Sequence, residues 1–225
     1  MADDIFYRKS TPELKREIDA IMAEDTRSLP LKAKIFAAVA KLQNFDMLPE
    51  LGDVTEIDSA VGKGAVQLNR GISGTKSAQA TIYARDLLMG SMYPGTLSAY
   101  GNGIYFAVPS KKYDKHPAFP LISVLAHEYA QPEDPQFGAG IILRAVLSPN
   151  ARTADCDDLR QYFKENRSRA QHAGITDLGA FAASVGIEAY FMDGCYDHTD
   201  ERVWIVVNRG ALVFQKTALQ VRHNT

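Results

Sequence analysis

Three separated stretches carry side chains suited to chemistry, each at the edge of an expected strand. In Leu68-Asn69-Arg70-Gly71 an arginine closes a short apolar run and a glycine follows. A guanidinium is a planar fork of donors that can grip an anion through two parallel bonds. In Tyr100-Gly101-Asn102-Gly103-Ile104-Tyr105-Phe106-Ala107, a turn with two glycines opens onto an aromatic strand, setting ring faces beside backbone that carries no Cβ. In Asp200-Glu201-Arg202-Val203-Trp204-Ile205-Val206-Val207 an acidic residue stands just before a long apolar strand, where a carboxylate can stabilise positive charge as it develops. Taken singly, each has an ordinary reading: a solvated charge, a loop, an exposed acid.

Better-known motifs fail on spacing. Gly71-Ile72-Ser73-Gly74-Thr75-Lys76-Ser77 places Thr75 between the glycine and the lysine of a phosphate loop. Gly101-Asn102-Gly103 supplies two glycines of a dinucleotide fingerprint, but Phe106 stands where the third belongs, and a strand follows in place of a helix. His127-Glu128 lacks the second histidine of a metalloprotease helix, and the five histidines form no ligand cluster. No metal is expected.

The elements that must hold the three stretches are legible in outline. Ser10-Thr11-Pro12-Glu13 reads as a capping box with proline at the first helical position, and Leu14, Ile18, Ile21 and Met22 follow at helical spacing. A second helix is expected from near Ser28-Leu29-Pro30 through Ile35, Phe36, Val39 and Leu42. From about residue 64 the texture changes to short β-branched or aromatic runs, with strands expected at Ala65–Arg70, Gly103–Val108, Ile141–Leu147, Gly186–Met192, Arg202–Asn208 and Leu212–Gln215. Helices are expected between them at Ser77–Met89, Pro120–Ala130, Asp157–Ala173 and Asp177–Val185. The last two strands are separated only by Arg209-Gly210-Ala211, and strands outnumber a regular alternation with helices. This predicts an α+β domain with antiparallel pairing over a doubly wound parallel sheet. The expected division is an N-terminal helical segment, residues 1–62, acting as a lid or partner surface, and a catalytic domain over 63–225.

In combination and order the three stretches resemble the ADP-ribosyltransferase superfamily, with its Arg-Gly or His-Gly strand, glycine-aromatic strand and glutamate before a late strand. GNGIYFAVPSKKY at Gly101–Tyr113 is similar to the poly-ADP-ribose polymerase-like branch, whereas Arg70-Gly71 is similar to the toxin-like mono-ADP-ribosyltransferases. The resemblance spans about residues 65–216 and implies a split antiparallel sheet that binds NAD+ as co-substrate. It implies that Arg70 holds the dinucleotide and that the Gly71 backbone meets the nicotinamide carboxamide. Tyr105 would stack on the nicotinamide above the turn of Gly101, Asn102 and Gly103, and Ser110 and Tyr113 would extend the same pocket. Glu201 would be the catalytic carboxylate, stabilising the oxocarbenium-like ribose as the glycosidic bond breaks. Glu188, Asp193 and Asp200 are its rivals.

Two departures narrow the reaction. Thr199 stands where arginine-modifying members carry a second glutamate, and Arg70 replaces the histidine usual in chain-elongating enzymes. Single transfer to a protein or nucleic-acid acceptor is therefore expected, in a toxin, defence factor or effector of bacterial or phage character, with an antitoxin or immunity protein as a possible partner. An NAD glycohydrolase and a non-catalytic phage protein retaining the fold stay open beside it.

Composition bounds the rest. With 25 basic against 27 acidic residues, the net charge of −2 argues against a protein that blankets nucleic acid. Local basic surpluses at 159–172 and 208–225 keep a contact surface for RNA, DNA or an acidic protein open. The two cysteines are distant and unpatterned. No apolar run approaches the roughly 18 residues of a membrane span, and no secretory leader is legible, so cytoplasmic residence without membrane contact is the expectation.

Overall fold

The computed structural model describes residues 4–74, 79–90, 100–109, 122–132, 134–194 and 201–221. Its helices are α1 (Ile5–Arg8), α2 (Thr11–Glu24), α3 (Leu31–Leu42), α4 (Val54–Gly62), α5 (Ala80–Met89), α6 (Val124–Ala130), α7 (Cys156–Glu165), α8 (Arg167–His172) and α9 (Leu178–Ser184). Its strands are β1 (Glu50–Gly52), β2 (Gln67–Ile72), β3 (Ile104–Ala107), β4 (Gly140–Leu147), β5 (Thr153–Asp155), β6 (Ala189–Met192), β7 (Val203–Val206), β8 (Leu212–Gln215) and β9 (Leu219–Val221). The class is α+β, as expected.

The strand order is β1-β8-β4-β2-β3-β7-β6-β5, with β9 beside β4. All pairings are antiparallel except β1 with β8 and β5 with β6, at the two edges. The short Arg209–Ala211 link does not make a hairpin of the last long strands: β7 pairs with β3 and β6, and β8 pairs with β1 and β4. The link is a 3₁₀ turn, entered by Asn208, whose side chain accepts from the Gly210 N–H.

That crossing is possible because the sheet is not flat. Three strand spacings separate β3 from β8, about 14 Å in an unfolded sheet, yet the rings of Phe106 and Phe214 lie 5.9 Å apart. The sheet is therefore bent into two halves, β1-β8-β4-β2 and β3-β7-β6-β5. Between them lies a core of Leu68, Leu143, Ile104, Trp204 and Phe214, closed by Ala84 and Leu87 of α5. Among the described residues the halves pair at Asn69 with Ala107 alone.

The outer face of the second half is covered by helices. Leu14 and Ile18 of α2 and Phe36 and Val39 of α3 join Leu159 of α7, Phe181 of α9 and Ile205 of β7 in one core. At roughly 1.5–3 kcal/mol for each large apolar side chain removed from water, this seating holds the N-terminal hairpin on the sheet. Ser10 begins α2 by accepting from the Glu13 N–H, as the capping pattern predicts. Residues 50–52, inside the segment expected to be helical, form the edge strand β1. The helix after it, α4, was not foreseen. It starts with a reciprocal capping box between Asp53 and Glu56. The single helix expected over 157–173 is two, broken at Asn166.

Candidate active site

The seam between the half-sheets brings the three stretches together. On β2, the Leu147 N–H donates to the Val66 carbonyl (3.1 Å). By the two-residue alternation of a strand, Leu68 and Arg70 turn their backbone groups toward β4, and Asn69 and Gly71 turn theirs toward β3. On β3, the Val108 N–H donates to the Arg202 carbonyl (2.9 Å), so Tyr105 and Ala107 face β2. Asn69 and Ala107 pair, but the next pair, Gly71 with Tyr105, is absent from the register among the described residues. The strands part in a cleft there, and among the described residues the Gly71 N–H and C=O have no partner on β3.

Arg70 bridges that cleft. Its Nη1 donates to the Tyr105 carbonyl at 2.8 Å, while its Nε is buried without an acceptor. Burial pushes the guanidinium down to about 10, still a cation at neutral pH. No carboxylate of a described residue forms an ion pair with it. A largely buried cation with no counter-ion among the described residues is costly and draws an anion. Tyr105 is half-buried, and its hydroxyl donates to the Gly101 carbonyl at 2.7 Å.

Glu201 is 1% exposed and stands at the start of α6. Its Oε2 accepts from the Ser123 hydroxyl (2.6 Å) and the Leu125 N–H (2.9 Å), and its Oε1 from the Val124 N–H (2.8 Å). The first-turn donors of a helix are otherwise unsatisfied, so a carboxylate fits here. Ser123 is the hinge of this arrangement. Its hydroxyl also accepts from the Ala126 N–H (2.9 Å), and its own N–H donates to Asn69 Oδ1 (2.8 Å). A chain of bonds thus runs from Asn69, beside Arg70, through Ser123 to Glu201. Neither Asn69 nor Ser123 was singled out from sequence. The available signal was a serine ahead of the apolar run Val124-Leu125-Ala126.

Two of the three rival acids are committed elsewhere. Glu188 accepts from the Arg152 N–H and Asn208 Nδ2, and Asp193 makes a bidentate pair with Arg202, whose hydrogen bonds lower its pKa. Asp200, Thr199, Ser110 and Tyr113 lie outside the described residues.

The expected dinucleotide glycines have packing duties. A Cβ on Gly71 would stand 1.8 Å from the Ala126 carbonyl of α6, so glycine is required for the helix to lie on β2. Gly101 has φ +101° and abuts Gly179 and Tyr190, while a Cβ on Gly103 would meet Ile205 at 2.3 Å. Asn102 is buried; its N–H donates to Asp177, which also caps α9, and its Nδ2 donates to the Lys32 carbonyl. These residues seat the start of β3 against α9 and α3, and through the Tyr105 hydroxyl they orient its ring. Gly71→Ala is expected to cost about 2–4 kcal/mol, because the obstacle is helix backbone. An unchanged urea midpoint would show that α6 can shift freely.

Among the described residues no group of three His, Cys, Asp or Glu side chains could hold a metal, and no helix is long and apolar enough to cross a membrane. Compared with known proteins, the chain matches no family model, no curated protein and no solved structure.

Proposed function

We propose that the protein is an NAD+-dependent mono-ADP-ribosyltransferase whose site is the cleft between β2 and β3. The observation that carries this reading is the Arg70 cation, without an ion pair among the described residues, beside the Gly71 N–H and C=O, which there have no partner on β3. A dinucleotide supplies what each lacks: pyrophosphate oxygens for the remaining guanidinium donors, and a carboxamide whose C=O and NH2 complement the Gly71 N–H and C=O. Tyr105 offers a ring at the same mouth.

Glu201 completes the set. Among the described residues its Oε1 accepts a single bond, and its remaining acceptor position would take a ribose hydroxyl. A carboxylate held by three donors cannot drift as charge develops, and such preorganisation is commonly the largest catalytic contribution. In the reaction the C1′–N bond breaks, its electron pair leaves with nicotinamide, and an acceptor nucleophile bonds to C1′ and releases its proton. The bent sheet with its single-pair seam accords with the split sheet that the family resemblance implies.

The test is incubation with adenylate-labelled NAD+ and whole-cell extract, followed by separate nuclease and protease digestion. Label in a macromolecular fraction is expected, released by one of the two. Free ADP-ribose without such label would make the protein a glycohydrolase, and intact NAD+ would sink the enzymatic reading.

A further inference from the structure

We propose that Asn69 is a positioning residue of the cleft: it fixes where the Glu201 carboxylate stands relative to the Arg70 guanidinium. This role rests on the transferase reading and adds to it a residue that touches no substrate. Asn69 is 1% exposed and lies within β2, directly before Arg70. An amide taken out of water has to be bonded, and both of its groups are. Nδ2 donates to the Leu68 carbonyl (3.1 Å), tying the side chain to its own strand. Oδ1 accepts from the Ser123 N–H (2.8 Å), 54 residues further on.

The second bond supplies what α6 lacks. The N–H of a helix N-cap is commonly taken by a Glu or Gln side chain three residues on, as Glu56 does for Asp53 at the start of α4 (2.7 Å). In α6 the N-cap is Ser123 and the residue three on is Ala126, which has no side-chain acceptor. The acceptor comes from β2 instead, so the helix is capped by the strand on which it lies. Asn69 and Gly71 share one face of β2, and Arg70 lies on the other. Close contact of the Ala126 carbonyl with Gly71 sets how near the helix comes. The directional bond at Asn69 sets where its first residue stands along the strand. Glu201 is held by α6, through Ser123, Val124 and Leu125, and among the described residues its carboxylate makes no bond to β2. The bonded route from the carboxylate to the strand that carries Arg70 therefore runs through Ser123 to Asn69. Misplacing a catalytic group by about 1 Å can cost about 100-fold in rate, whereas the anion grip of Arg70 does not depend on this route.

The experiment measures kcat and KM of NAD+ cleavage for the full chain, Asn69→Ala, Glu201→Gln and the double variant, each checked as folded by circular dichroism. Asn69→Ala should lower kcat about tenfold to 100-fold and leave KM within about threefold, because Arg70 and Gly71 remain. Once the carboxylate is gone there is nothing left to position, so adding Asn69→Ala to Glu201→Gln should lower kcat by less than about twofold. Asn69→Thr suits a strand, and its hydroxyl is too short to reach the Ser123 N–H. It should act as Asn69→Ala does, and it takes its place if the alanine variant does not fold. Unchanged kcat in the folded variant would overturn the role. So would an equal loss with and without the Glu201 carboxylate, since a general loosening of the fold does not act through that group. If the unaltered chain leaves NAD+ intact, the transferase reading fails and this role with it. If the unaltered chain cleaves NAD+ and the variant does so equally well, the role alone fails.

Discussion

Glu201→Gln is expected to lower NAD+ cleavage by about two to three orders of magnitude and to destabilise the fold by about 2–4 kcal/mol. Both effects follow from one geometry. The carboxylate receives two helix N–H groups and the Ser123 hydroxyl, and charge-assisted bonds of this kind are roughly twice as strong as neutral ones. An amide keeps one oxygen and turns an NH2 group toward donors, leaving at least one of them buried and unpaired. The same change removes the negative charge that would face the ribose cation. Ser123→Ala separates the two contributions: it retains the carboxylate and removes one donor, so cleavage should fall about tenfold or less while stability drops by about 1–2 kcal/mol. Measuring NAD+ cleavage and urea unfolding on the same preparations decides the matter. Full cleavage in folded Glu201→Gln would remove Glu201 from the chemistry.

Arg70→Met is expected to divide stability from binding. The guanidinium is a half-buried cation with a buried, unpartnered Nε and without an ion pair among the described residues. Replacing it with an apolar chain of similar length relieves desolvation while leaving the Tyr105 carbonyl without its donor, and these oppose each other to within about 1–2 kcal/mol. NAD+ affinity, by contrast, should fall about 30-fold or more, because a buried charge-assisted contact is worth 2–5 kcal/mol. Arg70→Lys should recover only part of this, since a point charge cannot reproduce the fork. Isothermal titration with NAD+ reads the effect. Unchanged affinity in Arg70→Met would eliminate the anion-binding role.

Sequence patterning located most elements and missed those without a pattern. β8 coincides with its expected bounds, because Leu212-Val213-Phe214 is a compact β-branched and aromatic run following the Arg209-Gly210-Ala211 turn. β1, β5 and β9 are three residues each, too short to show a period, and are held by neighbouring strands. The short link between β7 and β8 predicted antiparallel pairing in general but not which strands pair: β7 lies beside β3 and β6, and β8 beside β1 and β4. Link length limits distance, and in a bent sheet strands far apart in order lie close in space. At the site, residue types pointed to Arg70, Tyr105 and Glu201, but the relay through Asn69 and Ser123 was invisible. Those two are ordinary polar residues whose importance arises from α6 lying on β2. The glycines were legible as close approaches, although the approaching groups are helix backbone and side chains of the protein itself.

The seam has a consequence for synthesis of the chain. In sequence order the strands alternate between the halves, with β1 and β2 in the first, β3 in the second, β4 in the first, β5 to β7 in the second, and β8 and β9 back in the first. The polypeptide therefore crosses its own seam four times. Neither half is a contiguous stretch that could form while the other is still being made, and long-range pairing of this kind folds late. β3 lacks one neighbour until residues 203–206 emerge, and β4 lacks part of one edge until 212–215 do. Because Glu201 arrives with that same last segment, the nascent chain carries no finished cleft until translation of this region is nearly complete. The architecture itself delays completion of the candidate site until residues 201–215 have been made.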